Sequence, residues 1–408
     1  MMHIAVIGAG AAGCFCAAEL GRLCPDARIT VYESARKPLA KVAVTGGGRC
    51  NLTNSFEGIS IDKAYPRGAR LMKRLLAEFS QTDCMEWFSS RGVELVIQDD
   101  GCVFPRSQDA MQIVGTLLGE MKKYGVSLKT GHRVSGIIPG VKGFSLLSDG
   151  KPAESADKVV ITVGGLSSAA MAGIFDTLDL NIEKCVPSLF TFKLDSPVTA
   201  LSGIVVEQAK VRLDGTKYSS EGPLLITDWG FSGPAALKLS SYGARHLAEC
   251  GYKAGITVSW LPGCSEKELM NVLSGYISDS PAKMVSSLHP GAIPGRLWDF
   301  LLDKANIKKI TKFAQLGGKS MRRLCATLLS DSYKCVGRSK FKEEFVTCGG
   351  ISLDEIDLRK MESKKYKGLY FAGEVLDIDA ITGGFNLQAA WSGAHCAARA
   401  IATETLEG

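Results

Sequence analysis

Three groups of residues in this 408-residue chain have the types and spacing to do chemistry. In the first, Gly8, Gly10 and Gly13 stand in the order Gly-Ala-Gly-Ala-Ala-Gly directly after a short apolar run, residues 3–7. Gly8 lets the chain turn sharply off a strand, Gly10 lets the backbone approach a pyrophosphate, and Gly13 lets a helix pack closely on a sheet. A helix opening there aims free N–H groups and the positive end of its dipole at phosphate. Glu33 ends a second apolar run twenty residues past Gly13, where a carboxylate accepts hydrogen bonds from an adenosine ribose. An acid at that point disfavours a 2′-phosphate, so NADP does not suit this pocket.

The second group is Thr45-Gly46-Gly47-Gly48-Arg49-Cys50-Asn51-Leu52-Thr53-Asn54, a loop dense in donors and able to approach a ligand closely. The third lies near the C-terminus. Residues 368–374 read as a buried strand ending in Gly373 and Glu374, and Thr382-Gly383-Gly384-Phe385-Asn386-Leu387-Gln388 opens a helix. A strand-end acid suits a ribityl hydroxyl. A helix N-terminus suits the N1–C2=O edge of a flavin, where the reduced ring carries negative charge. The bland alternatives are a tight turn, a flexible surface loop and a helix that merely completes the sheet. Strand, helix and acid agree at the first group, and Asn and Gln follow the paired glycines at the third, so ligand contact is the better reading. An N-terminal βαβ unit closed by a distant C-terminal strand and helix favours FAD over NAD.

These groups need elements to hold them. Helical periodicity runs over 68–90 (Leu71, Leu75, Phe79) and over 109–124 (Ile113, Leu117, Met121). Residues 94–97 and 102–104 flank Asp99-Asp100-Gly101 as a hairpin, 126–129 and 132–138 read as strands, and 144–147 pairs back. Residues 156–165 form a buried parallel strand ending in Gly164-Gly165. After Pro187 the pattern alternates as antiparallel strands over 188–213 and 217–226, with a loop at 227–234, and 265–330 turns helical. The expected fold class is therefore α/β, with a discontinuous first domain over 1–186 and 346–408. The insert, 187–345, is β-barrel-like over 187–262 and 331–345 and helical over 263–330.

Composition narrows the classes. Hydrophobic content of 46% with 22% charged residues reads as a soluble globular chain. No apolar run is long enough to span a membrane and no signal peptide is visible, so a cytoplasmic protein is expected. The thirteen cysteines are scattered, odd in number and lack any C-x-x-C pair, which argues for reduced thiols and against disulfides or zinc. Five dispersed histidines suggest no metal site. Net charge is +6, and its short clusters (Lys308-Lys309, Arg322-Arg323, Lys364-Lys365) read singly as solvated helix faces. A nucleic-acid partner is not expected on that basis.

Four blocks together resemble the BaiN/YhiN-like NAD(P)/FAD-dependent oxidoreductases, which include aminoacetone-oxidase-like flavoproteins. They are Val6 through Gly13, Thr45 through Asn54, Phe231-Ser232-Gly233-Pro234-Ala235, and Gly368 through Gln388. Thr45 departs from the serine often found there. The resemblance implies a glutathione-reductase-like FAD-binding Rossmann-type domain with an inserted β-barrel plus small helical domain. It implies that Gly8, Gly10, Ala12 and Gly13 hold the pyrophosphate, Glu33 the ribose, and the backbone of Val134, on a strand, the adenine. Arg49, Cys50 and Asn51 would sit near the flavin, and Gly373, Glu374, Asn386 and Leu387 would embrace the ribityl chain and ring. Ser34, Lys41, Gly48, Thr162, Gly164, Gly384 and Phe385 complete the candidate cofactor-binding set.

The expected activity is that of an FAD-dependent oxidoreductase moving hydride between flavin N5 and a small molecule, with NAD(P)H as a transient reductant. The insert lacks a second Gly-x-Gly-x-x-Gly for tight NAD(P)H binding. A redox disulfide at Cys50 is rejected, because the next cysteine is Cys84. Asp377, Asp379 and Lys41 are weak candidates for a base, and no catalytic residue is assigned. A flavin-dependent tRNA-modifying enzyme and a non-catalytic flavin-binding regulator are the alternatives.

Overall fold

The computed structural model describes residues 1–166, 168–195, 198–338 and 346–407. The chain divides into two units, Met1–Val186 with Val346–Gly408, and Pro187–Phe345.

In the first unit, seven strands form one sheet in the order Ile356–Asp357, Glu362–Ser363, Leu369–Phe371, Lys158–Ile161, His3–Ile7, Arg28–Glu33, Ser127–Thr130. The five from Leu369–Phe371 onward run parallel. Parallel strands covered on both faces need unbroken apolar sequence, and His3–Ile7 and Leu369–Phe371 are buried at every position. The register places Ile7 opposite both Tyr32 and Ile161, and Ile161 opposite Phe371. One residue further on, Gly8, Glu33, Thr162 and Ala372 stand together along the carboxyl edge of the sheet. That edge is where open α/β sheets bind ligands.

Helix Ala11–Leu23 follows the first strand, and helix Phe385–Glu407 closes the unit. An aromatic core joins them: the Phe15 ring lies 5.5 Å from Trp391 and 4.6 Å from Trp87. Beneath it, the buried Glu19 accepts from Trp87 Nε1 at 2.9 Å and from Arg22 Nη2 at 2.9 Å, and lies 3.2 Å from His395 Nδ1. Burial alone would raise this carboxyl. The hydrogen bonds from His395, Arg22 and Trp87 overcome burial and hold it down to about 2.

The structure corrects three local expectations here. The periodic stretch 68–90 is two helices, Ala69–Glu78 and Gln81–Ser89. They are separated at Ser80, which forms a capping box with Asp83. Residues 132–135 are not strand; only Gly136–Pro139 is, and it pairs antiparallel with Phe144–Ser148. A third strand of that meander, Lys151–Ala156, escaped the sequence reading because most of its length is exposed.

In the second unit six strands close a barrel in the order Phe192–Leu194, Gly230–Ser232, Ser219–Ile226, Val205–Leu213, Ala254–Ser259, Asp331–Arg338. Strand Val205–Leu213 turns Val206, Ala209, Val211 and Leu213 inward. Gly230–Ser232, read from sequence as loop, is a barrel strand; a Cβ on Gly230 would stand 2.1 Å from Phe192 O. The expected return strand over 331–345 runs to Arg338, and 339–345 lie outside the described residues. Helices Glu266–Asp279, Gly295–Lys304 and Gly318–Leu329 share one core with the barrel, through Trp260, Leu269, Trp298 and Leu324. No helix among the described residues is long and apolar enough to cross a membrane.

Candidate functional site

The glycine turn after the first strand is over-determined by its neighbours. Gly8 has φ of +104°, and a Cβ there would lie 2.6 Å from Thr162 O. A Cβ on Gly13 would fall 1.9 Å from Gly8 O and 2.6 Å from Thr162 Oγ1. Thr162 itself sits 2.9 Å from both Ile7 O and Gly8 O through its hydroxyl, so its side chain braces the turn and is not presented outward. Gly10 is different. A Cβ on it would meet nothing within 4 Å, so the protein's own packing does not require a glycine there. The helix that Gly10 opens has no side-chain cap and no acid in its first turn. Its first N–H groups, Ala12 and Gly13 among them, have no intrahelical acceptor. An open backbone cradle beneath uncapped amides suits a pyrophosphate.

Glu33 lies beside that cradle, half-buried. Its Oε2 accepts from Ala9 N at 2.8 Å; its Oε1 accepts from Ala35 N at 2.7 Å and Ser34 Oγ at 3.2 Å. A carboxylate has about four lone-pair sites, so acceptor capacity remains for sugar hydroxyls. Val134, expected on a strand, stands in the irregular segment before Gly136–Pro139. That segment starts beside Glu33: His132 N donates to Glu33 O at 2.8 Å and Gly131 N to Ala35 O at 3.0 Å.

The donor-rich loop is wound into a left-handed path, with φ of +60°, +71°, +84° and +62° at Gly46, Gly47, Gly48 and Cys50. Gly47 and Gly48 face open space where a Cβ would be. Arg49 stacks 4.3 Å over the Phe104 ring and donates to Gly46 O at 3.2 Å, so its guanidinium serves the loop. Cys50 is fully buried, and burial pushes its thiol up to about 12.

Past Cys50 the loop is stitched to the C-terminal block. Asn51, with its amide oriented to satisfy both ends, donates to Thr53 O at 3.0 Å and accepts from Gly384 N at 3.2 Å. Trp391 Nε1 donates to Leu52 O at 3.0 Å, Thr53 Oγ1 to Gln388 Oε1 at 2.5 Å, and Asn54 Nδ2 to Gly383 O at 3.0 Å. Further along, Tyr65 OH donates to Phe385 O at 2.7 Å, and Arg67 forms a two-point ion pair with the buried Asp379. Sequence reasoning missed Tyr65 and Arg67, since nothing local marks a partner more than three hundred residues away.

Gly373 lies between the first turn of helix Ala11–Leu23 and the second turn of helix Phe385–Glu407. Its φ is +79°, and a Cβ would lie 3.0 Å from Ala12 Cβ and 3.9 Å from Ala390 Cβ. Next to it, Glu374 accepts from Thr347 N at 2.7 Å and stands 3.6 Å from Lys41 Nζ. A Cβ on Gly164 would lie 3.8 Å from the same carboxylate. Lys41, Gly164 and Glu374 are thus gathered at one point, with Thr347 a member the sequence did not reveal.

The remaining candidates divide by what their side chains already do. Asn386 directs its amide to Ala380, accepting from its N at 2.9 Å and donating to its O at 3.1 Å. Phe385 is buried edge-on to Phe56 at 5.0 Å, and Leu387 is half-buried in the first helical turn. Asp379, considered as a base, is held by the Arg67 guanidinium, and Lys41 is paired with Glu374. Among the described residues no group of His, Cys, Asp and Glu could hold a metal.

Known proteins resemble this chain in sequence and fold. The sequence profile of the HI0933-like protein Rossmann domain matches residues 2–400. A ribosomal RNA dihydrouridine synthase of Escherichia coli is 30% identical over 98% of both chains. A 3-dehydro-bile acid delta(4,6)-reductase of Clostridium scindens is 27% identical over 98% of this chain and 99% of its own. The fold also matches that of the 3-ketosteroid delta1-dehydrogenase of Sterolibacterium denitrificans, with a TM-score of 0.52 at 13% identity, over 99% of this chain and 100% of that one. These matches give the family: the chain belongs to the HI0933-like Rossmann-domain flavoproteins, built on the Rossmann-type FAD-binding fold.

Proposed function

We propose that this flavin oxidoreductase holds FAD along the carboxyl edge of its parallel sheet and reduces a carbon–carbon double bond conjugated to a carbonyl. Bound flavin supplies the hydride chemistry. The chain supplies the grip: Gly8, Gly10, Ala12 and Gly13 for the pyrophosphate, Glu33 and Ser34 for the ribose, and the backbone at Val134 for the adenine. The loop Gly48–Asn51, with Glu374, Gly384 and the amides of Phe385 through Leu387, faces the ribityl and ring end.

The observation that carries the cofactor is the open cradle at Gly10 beneath an uncapped helix, on the same sheet edge as Gly373 and Glu374. The reaction class rests on the two relatives. Dihydrouridine differs from uridine by saturation of a C=C conjugated to a ring carbonyl, and a delta(4,6)-reductase named for a 3-dehydro-bile acid acts on double bonds conjugated to a ketone. One reaction type serves both. For the substrate we read first a small enone. A second reading, a uracil base within RNA, is favoured by the charge distribution of the second unit.

The test is an absorbance spectrum of the purified protein, followed by anaerobic reduction with NADH and NADPH and reoxidation by a 4-ene-3-ketosteroid or a uridine-containing RNA. Flavin bands restored by either acceptor support the reading. A colourless protein that takes up no added FAD overturns the cofactor. A flavin bleached by small amines and inert to both acceptors overturns the reaction class.

A further inference from the structure

The positive charge of this protein is not spread over its surface. Residues 263–330, the helical part of the second unit, carry ten Lys and Arg against five Asp and Glu, a net +5 of the chain's formal +6. From Lys304 to Ser330 there are seven basic residues and no acid. Each short cluster looks like a solvated helix face when taken singly, and the segregation appears only when the unit is taken whole.

The sharpest concentration is on helix Gly318–Leu329. Its inner side buries Met321, Leu324, Cys325 and Leu328, while Lys319, Arg322 and Arg323 stand exposed at i, i+3 and i+4 and line one open depression with Ala326. A solvated helix face ordinarily pairs such cations with acids three or four residues away. This helix contains no acid, and among the described residues no carboxylate pairs with these three side chains. Lys319 also sits in the first turn, against the helix dipole, so helix stability does not explain it. A polyanion does. The exposed face has no large apolar side chain to insert between lipids, which sets a membrane surface aside.

We infer that the face formed by Lys319, Arg322 and Arg323 docks the phosphate backbone of an RNA. This deepens the second substrate reading above and rests on it for the choice of RNA among polyanions. Contacts of this kind position a nucleic acid and carry no base specificity, so the face would serve as an anchor.

The experiment titrates flavin-loaded, full-length protein against a fluorescently labelled uridine-containing RNA hairpin across a salt series, beside the Lys319→Glu/Arg322→Glu/Arg323→Glu variant. Wild-type affinity should fall steeply with salt, and the variant should bind at least about tenfold more weakly. Its slope of log K against log salt should be smaller by about 2–3, since each phosphate contact contributes about 0.7–0.9. An unchanged flavin spectrum and melting temperature certify that the variant is folded. Equal affinity and slope for the two proteins overturn the inference. So does absence of RNA binding by the wild type, or binding only to vesicles containing phosphatidylserine. Reoxidation of the reduced flavin by the RNA and by a small enone is read on the same two proteins, so failure of the RNA-substrate reading is seen separately from failure of the docking face.

Discussion

Asn51 and Gly384, far apart in the chain, share a hydrogen bond: Gly384 N donates to Asn51 Oδ1 at 3.2 Å while Asn51 Nδ2 donates to Thr53 O at 3.0 Å. One side chain therefore fixes both the donor-rich loop and the entry to the C-terminal helix. A Cβ on Gly384 would lie 2.3 Å from Thr53 O, so the approach is too close for any other residue. Cutting the Asn51 tie leaves Gly384 N–H without its partner. Asn51→Ala should cost about 1–3 kcal/mol in stability and weaken flavin retention about tenfold, an effect of about 1.4 kcal/mol. Asn51→Asp keeps the acceptor and should lose less. Thermal melting and flavin release under dilution measure both; equal flavin retention in wild type and Asn51→Ala would remove this tie from the account.

The thiol at position 50 offers a second check. Burial raises Cys50 to about 12 and Cys84 well above its ordinary value, so neither supplies thiolate near neutral pH. Alkylation at pH 8 followed by peptide mass mapping should label the exposed Cys250 first and leave Cys50 and Cys84 unmodified in the folded protein. Rapid labelling of Cys50, or a Cys50–Cys84 disulfide in the oxidised protein, would revive the redox-thiol mechanism rejected on sequence.

Glu19 makes part of the stability of the first unit dependent on pH. Its carboxyl is held down to about 2 in the fold, against an ordinary 4.5, so the stabilisation is complete above pH 4.5. It is lost as pH falls through about 2. Glu19→Gln removes the charge that His395, Arg22 and Trp87 address and should cost on the order of 3 kcal/mol at pH 7, with little difference from wild type near pH 2. Urea melts at several pH values decide it. A cost that does not shrink with acid would mean the side chain matters for its shape, and its charge does not.

What could be read in the sequence was local. The glycines at 8, 10 and 13 and the acid at 33 were legible because their spacing follows the course of one βαβ unit, and the structure places Gly8 and Glu33 side by side on one sheet edge. The break at Ser80 was written as a capping box, Ser80 with Asp83, but the spacing of Leu71, Leu75 and Phe79 masked it. Gly230–Ser232 has three residues, too few for an alternating pattern to emerge. Arg67 and Asp379, Tyr65 and Phe385, Lys41 and Glu374 were illegible for another reason. Their chemistry depends on partners that only the closed chain brings near. Asn386 is a related case: its amide is hydrogen-bonded to the backbone of Ala380, six residues earlier, a partner that nothing in the cofactor block announces.

Gly10 and Gly13 separate binding from folding within one turn. At Gly13 a methyl group would strike Gly8 O at 1.9 Å, so Gly13→Ala must push the helix off the strand and should yield an unstable, flavin-free protein. At Gly10 the same methyl meets no protein atom within 4 Å, and φ of −84° suits alanine. Gly10→Ala should melt within a few degrees of wild type, since replacing glycine by alanine at a helix N-cap costs on the order of 1 kcal/mol. Yet it should bind FAD at least about tenfold more weakly, because the methyl occupies the space reserved for pyrophosphate. Paired melting curves and FAD titrations of the two apoproteins read the contrast. If Gly10→Ala folds and keeps wild-type affinity for FAD, the open cradle is not where the cofactor lies, and the assignment of Gly8 through Gly13 to phosphate fails with it.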